Sequence, residues 1–149
     1  MAIVSEVERN CEDAWISALT GHVDLMAIAG MAVVRGDDCS SDPTYPCVIV
    51  TAHDSWTPPE FHNIGVDRTN VELQAMTYKH DDDDRSICDS VCGAVRDLFR
   101  DDAIKATLSG AVVNFTVKGI EESEPAMLVP DDTFHIRKMT ALITAIATD

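Results

Sequence analysis

A chain of 149 residues with 26 acidic and 11 basic side chains has a formal net charge of −15, which argues against gripping nucleic acid through clustered lysine and arginine. The same balance disfavours anionic membrane surfaces and suits a surface that repels DNA or simply stays soluble. Hydrophobic residues make up 46%, too many for a disordered chain, and the length suits one domain, residues 1–149, with a real core.

The first predicted helix opens at Ser5-Glu6-Val7-Glu8, which has the form of a capping box. Val7, Cys11, Ala14, Trp15 and Ala18 recur on one helical stripe, and Gly21 stands where a left-handed residue would close the helix. Residues 25 to 34 are apolar throughout and fit either a short helix or a buried strand. This run is too short to span a bilayer, which takes about twenty residues. Met1 to Glu6 lacks the basic start of a secretory signal, so the chain is expected to be soluble. Turn formers fill Arg35 to Pro46, and Cys47 to Ala52 reads as a strand. The excursion His53 to Asn63 holds Pro58 and Pro59, which forbid strand pairing, and two large aromatics, Trp56 and Phe61.

A strand from Val66 to Lys79 returns from that excursion, with alternation in Asn70-Val71-Glu72-Leu73-Gln74-Ala75-Met76. Four aspartates, Asp81 to Asp84, then open a second helix that runs to about Arg100. Its apolar stripe is Ile87, Val91, Ala94, Val95 and Leu98. Ala103 to Leu108 reads as a further helical turn. Val113, Phe115 and Val117 mark a half-buried strand, and Gly119 to Asp132 reads as a connection with a short strand at Ala126 to Val129. Phe134 to Ala147 makes the last long β segment. The pattern predicts an α+β domain, a mainly antiparallel sheet of about four strands with two main helices packed on one face.

Catalytic and metal-binding constellations are poorly represented. Four adjacent aspartates lack the alternate spacing and distal glutamate of a calcium loop, so helix capping is the simpler role. Cys88 and Cys92 lie four apart on one helix, and Cys39 and Cys47 do not supply a knuckle-like second pair for zinc. The five cysteines, with Cys11, form an odd set suited to reduced thiols in a cytoplasmic setting. His53, Asp54 and Ser55 have the residue types of a hydrolytic triad, but neighbours along a strand point to opposite faces. No phosphate-cradling glycine loop occurs. Neither a cofactor nor a metal is expected, and no catalytic residue is assigned. Trp56, Pro58 and Phe61, together with Arg137 on the last strand, are the candidate protein–protein interface residues. The rival in another class is a small acidic enzyme or metal-binding protein using His53, His80 and the aspartates.

The layout resembles the tail terminator proteins of tailed bacteriophages, the small tail-completion or neck proteins. The resemblance covers nearly the whole chain. It runs through the N-terminal helix, the strand start Tyr45-Pro46-Cys47-Val48-Ile49-Val50, the strand Asn70 to Met76 and the helix Ile87 to Leu98. It ends in the final strand pair with Arg137-Lys138-Met139-Thr140-Ala141-Leu142-Ile143-Thr144-Ala145. It implies a virion subunit, made in the host cytoplasm, that assembles as a ring, commonly a hexamer, on the tail tube. Its implied partners are further copies of itself, the tail tube protein and the head connector, with DNA only passing through the channel and no membrane. A head-completion or connector protein is the nearest alternative. The excursion from His53 to Asn63 and the last strand, Phe134 to Ala147, are expected to supply the contact surfaces, through aromatic side chains and an exposed strand edge.

Overall fold

The computed structural model of the chain describes residues 4–36, 44–56, 66–98, 106 and 115–147. Helix α1 spans Val4–Thr20, a short helix α2 spans Val23–Met26, and strand β1 spans Ala32–Arg35. Strands β2 and β3 cover Cys47–Trp56 and Val66–Tyr78, helix α3 covers Ser86–Asp97, and strands β4 and β5 cover Phe115–Val129 and Phe134–Ala147. The class is α+β, as the pattern predicts.

The sheet has five strands in the order β1-β2-β3-β5-β4. Only β1 and β2 are parallel; the other three pairings are antiparallel. The expectation of about four strands misses β1 and breaks β4 in two. Residues 25 to 34 divide between α2 and the four-residue β1, so the ambiguous run is partly helix and partly strand. The acidic segment after Gly119 is not a connection, because β4, 15 residues in all, runs through it with register breaks at Val117/Gly119, Glu122/Glu124 and Glu124/Met127. Bulges of this kind let a strand absorb residues that do not fit its alternation.

Alternation along the strands sorts side chains into two faces. Val48, Val50 and Ala52 of β2, Val71, Leu73 and Ala75 of β3, and Met139, Ala141 and Ile143 of β5 form one buried face. Against it pack Cys11, Ala14, Trp15 and Leu19 of α1 and Cys88, Val91, Cys92 and Val95 of α3, with Leu25 of α2 and Leu98. Cys11, Ala14 and Trp15 of the first predicted stripe and Val91, Val95 and Leu98 of the second therefore face the core, joined by Leu19, Cys88 and Cys92.

Helix ends differ from the sequence reading. Helix α1 begins at Val4, so Ser5 lies inside it. Gly21 donates its N–H to the Ser17 carbonyl, while among the described residues the glycine with positive φ is Gly30, at 75°. The start of α3 is built by Asp82, which is 2% exposed. Its Oδ1 accepts the Ile87 N–H at 2.9 Å, and its Oδ2 accepts the Cys88 N–H and the Thr77 hydroxyl, both at 2.9 Å. Asp84 accepts the Ser86 N–H at 3.1 Å. The aspartate run does cap the helix, mainly through this one member. Arg85 bridges to the helix in the left-handed region, at φ 64°. The predicted turn at Ala103 to Leu108 lies, except for Ala106, outside the described residues.

A second buried carboxylate completes the sheet edge. Strand β1 ends at Arg35, opposite Val50, two residues short of Ala52. The Ala52 N–H donates instead to Glu12 Oε2 at 2.8 Å, and Glu12 Oε1 accepts from Arg35 at 3.0 Å. Glu12 is 6% exposed, and Arg35 also reaches Asp13. A helix side chain thus stands where the edge strand would otherwise continue. No helix among the described residues is long and apolar enough to cross a membrane.

Candidate functional site

Arg137 pairs across the sheet with Ala75 on one side and Leu128 on the other, so it belongs to the helix-covered face. Its Nε donates to Asp89 Oδ1 of α3 at 2.7 Å, and Asp89 also meets Arg85 at 3.2 Å. About two turns further along α3, Arg96 meets Glu122 of β4 at 3.3 Å. The two pairs fasten α3 to the outer two strands. Between them lies a cleft lined by Asp89, Cys92, Gly93, Arg96, Ala126 and Arg137. Its two guanidiniums each face a carboxylate, so the cleft carries no excess charge to select an ion. Arg137, expected as an interface residue, here acts as a strut between sheet and helix.

Burial pushes the Asp89 carboxyl up, but hydrogen bonds and charge from Arg137 and Arg85 outweigh it and hold the group below the usual carboxylate range. Hydrogen bonds from Ser86 lower Asp84, and the Phe134 and Thr133 amides lower Asp131. For each, the folded pKa lies below the unfolded value, so the stability it contributes is full above that value and lost as pH falls through the folded pKa. Urea midpoints are therefore expected to drop on acidification below about pH 4, and Asp89→Asn is expected to flatten part of that drop.

The opposite face has no described helix over it. Its β2, β3 and β5 positions include Ile49, Met76, Ile136 and Leu142, all half-buried, with a polar band between them. In that band Glu72 accepts a hydrogen bond from Gln74 and lies 3.6 Å from both His53 Nε2 and Lys138 Nζ. At one end Tyr45, Tyr78 and Phe134 form a three-ring cluster, with centroids 4.5, 4.9 and 4.8 Å apart. Aromatic contacts of this geometry contribute about 0.5–1.5 kcal/mol each beyond area burial. Their shared apolar surface continues onto Met76 and Ile136, which adjoin Tyr78 and Phe134 two residues along each strand.

The outer strand at this end of the sheet is β4, since β5 sits between β3 and β4 with partners on both sides. This corrects the expectation that the last strand offers an exposed edge; that edge belongs to the strand before it. Met127 and Leu128 of β4 are 50% and 47% exposed. A shallow cleft at the adjoining turn is lined by residues including Lys79, Leu128, Pro130 and Phe134. The sequence signal for this site is the apolar segment 126–129 set between two acidic, proline-bearing stretches.

Of the other expected interface residues, Trp56 ends β2 with its backbone opposite Arg68, past a register break after His53. The Trp56 side chain, Pro58, Phe61 and most of the His53–Asn63 excursion lie outside the described residues. His80 and Asp81 are exposed in the turn after β3, while Asp82 turns inward, so the acidic run is divided between solvent and helix. Among the described residues, no group of three or more His, Cys, Asp or Glu side chains is placed to hold a metal ion.

Cys11, Cys47, Cys88 and Cys92 are buried. Burial, aided by Glu12 and Glu8, pushes the Cys11 thiol up to about 12, and burial with nearby acids takes Cys88 to about 11. Burial raises Cys92 as well. Thiolates are the reactive form. Alkylation at about pH 8 is therefore expected to label these four only as the protein unfolds, as mass spectrometry with and without urea will report. Comparison with protein-family models and with curated proteins returned no match.

Proposed function

We propose that this chain is a non-catalytic virion subunit of the tailed-bacteriophage neck or tail. It docks copies of itself into a ring, commonly a hexamer, which caps the tail tube, ends tube polymerisation and joins the tail to the head connector. The observation that carries this function is the one-sided layering of the sheet. Both long helices cover one face, and the other face presents aromatic and aliphatic side chains with no described element over them. An antiparallel sheet that faces only water is normally polar on that side. Apolar side chains gathered there suit contact with another protein.

A closed ring joins two different surfaces of each protomer. The open face and the helix-covered flank are different surfaces of this fold, so one protomer's open face can meet its neighbour's flank. The charge of −15 suits a channel through which DNA slides without sticking.

Purified protein mixed with tail tubes and imaged in negative stain is expected to show a ring at one tube end. Mass measurement of the assembly is expected to give a multiple of the 16.2 kDa subunit. Tubes with bare ends and a protein that stays monomeric beside them would overturn the proposal. So would turnover of a small compound that disappears when His53 or Asp54 is replaced.

A further inference from the structure

We infer that the outer edge of β4 between Ala126 and Val129 accepts an extended segment of another protein, one with alternating apolar side chains flanked by lysine or arginine. The inference does not rest on the ring function, because any protein offering such a segment fits the same edge.

The two parts of β4 are built differently. Upstream, the strand carries Gly119, Glu121, Glu122, Glu124 and Pro125, and its register breaks three times. Acidic residues, proline and bulges keep strand edges from pairing with other chains. The third break spans Pro125 and Ala126, and from Met127 to Val129 none of these devices occurs. The register there is regular, with Met127, Leu128 and Val129 opposite Lys138, Arg137 and Ile136. Among the described residues, β5 is the only strand that pairs with β4, so alternate N–H and C=O groups of this stretch face outwards. Met127 and Leu128 project to opposite faces, each about half exposed. A strand laid along them gains backbone hydrogen bonds and sets alternate side chains beside both. The cleft at Leu128, Pro130 and Phe134 adds room for one more side chain.

Charge selects the occupant. Glu121, Asp131 and Asp132 flank the stretch and are exposed. Lys79 donates to the Asp131 main-chain carbonyl, leaving the Asp131 carboxylate to the amides of Thr133 and Phe134. Of the neighbouring cations, Lys138 and Arg137 face Glu72 and Asp89, and Lys79 in the cleft is a single positive charge against the three exposed acids. The local field is therefore negative, and basic flanks are favoured. A second copy of this chain brings its own excess of acid to an acidic site.

The test uses the full chain and a labelled peptide, Lys-Lys-Val-Thr-Val-Thr-Val-Lys-Lys, read by fluorescence anisotropy at low salt. Two controls carry glutamate flanks or a central proline. The lysine peptide is expected to bind about tenfold or more tightly than either control. It should slow amide exchange in residues 126–129. The double variant Met127→Lys, Leu128→Lys is expected to weaken binding about tenfold, with circular dichroism confirming that it folds. Asp132→Lys should weaken the lysine peptide and favour the glutamate one. Equal binding of all three peptides, no binding at millimolar concentration, or protection elsewhere in the chain would overturn the inference. Self-association abolished by the double variant would assign the edge to a second copy and overturn it too. Ring formation on tubes is read separately, so either result can fail without the other.

Discussion

Replacing Asp82 by alanine is expected to lower unfolding stability by about 3 kcal/mol, whereas alanine at Asp81 or Asp83 should cost less than about 0.5 kcal/mol. The four aspartates are chemically identical and adjacent, and their difference is one of placement. Asp82 alone is buried, and its carboxylate holds the amides of Ile87 and Cys88 and the hydroxyl of Thr77. Removing it takes away a helix cap, worth about 1 kcal/mol, and leaves the buried Thr77 hydroxyl and the Cys88 amide without an acceptor. Its main-chain oxygen also lies 2.9 Å from His135 Nε2, so the turn between β3 and α3 is tied to β5 as well. For a domain of this size the loss corresponds to a fall in melting temperature of roughly 10 °C. Thermal melts of the single variants, run side by side, check both halves of the expectation. Equal effects at Asp81 and Asp82 would mean that total acidity, rather than this cap, supports the helix.

The second large effect is expected at Glu12. Glu12→Ala should cost about 3 kcal/mol, because it orphans the Ala52 amide and strips a mostly buried guanidinium of one of its carboxylates. Asp13 still faces Arg35, which limits the damage. Glu12→Gln keeps an acceptor for Ala52 while losing the charge, and is expected to cost about half as much. Denaturant titrations of both variants, with tryptophan fluorescence as reporter, provide the comparison. A glutamine variant as unstable as the alanine one would show that the ion pair, and not the hydrogen bond to the strand, dominates.

Much of the fold could be read from residue spacing. The stripe Cys11, Ala14, Trp15 and the stripe Val91, Val95, Leu98 are periodic, and periodicity reports burial directly. Alternation from Asn70 to Met76 likewise gave the face of β3. What escaped was decided by contacts distant in the chain. The period of residues 25 to 34 is the same for a short helix and a buried strand, and pairing with β2 makes Ala32–Arg35 a strand. The stretch around Glu121, Glu122 and Glu124 looks like a loop because its alternation is broken, and bulges against β5 absorb the break. Glu12 borders an apolar stripe, and nothing local says that it reaches a strand 40 residues away. For the candidate site, the aromatic excursion was visible by composition, whereas the exposed Met127 and Leu128 depend on which strand ends up outermost. Order within a sheet is not written in any single strand.

That order has a consequence for how the protein is made. β5 is translated after every other described element, yet it lies between β3 and β4 and pairs with both. Until residue 147 clears the ribosome, β4 has no place to dock, and the hydrophobic flank of β3 that receives Met139, Ala141 and Ile143 stays open to other chains. Nascent chains stalled before β5 should therefore engage chaperones and resist compaction. Release of the last strand would close the sheet in a single late step.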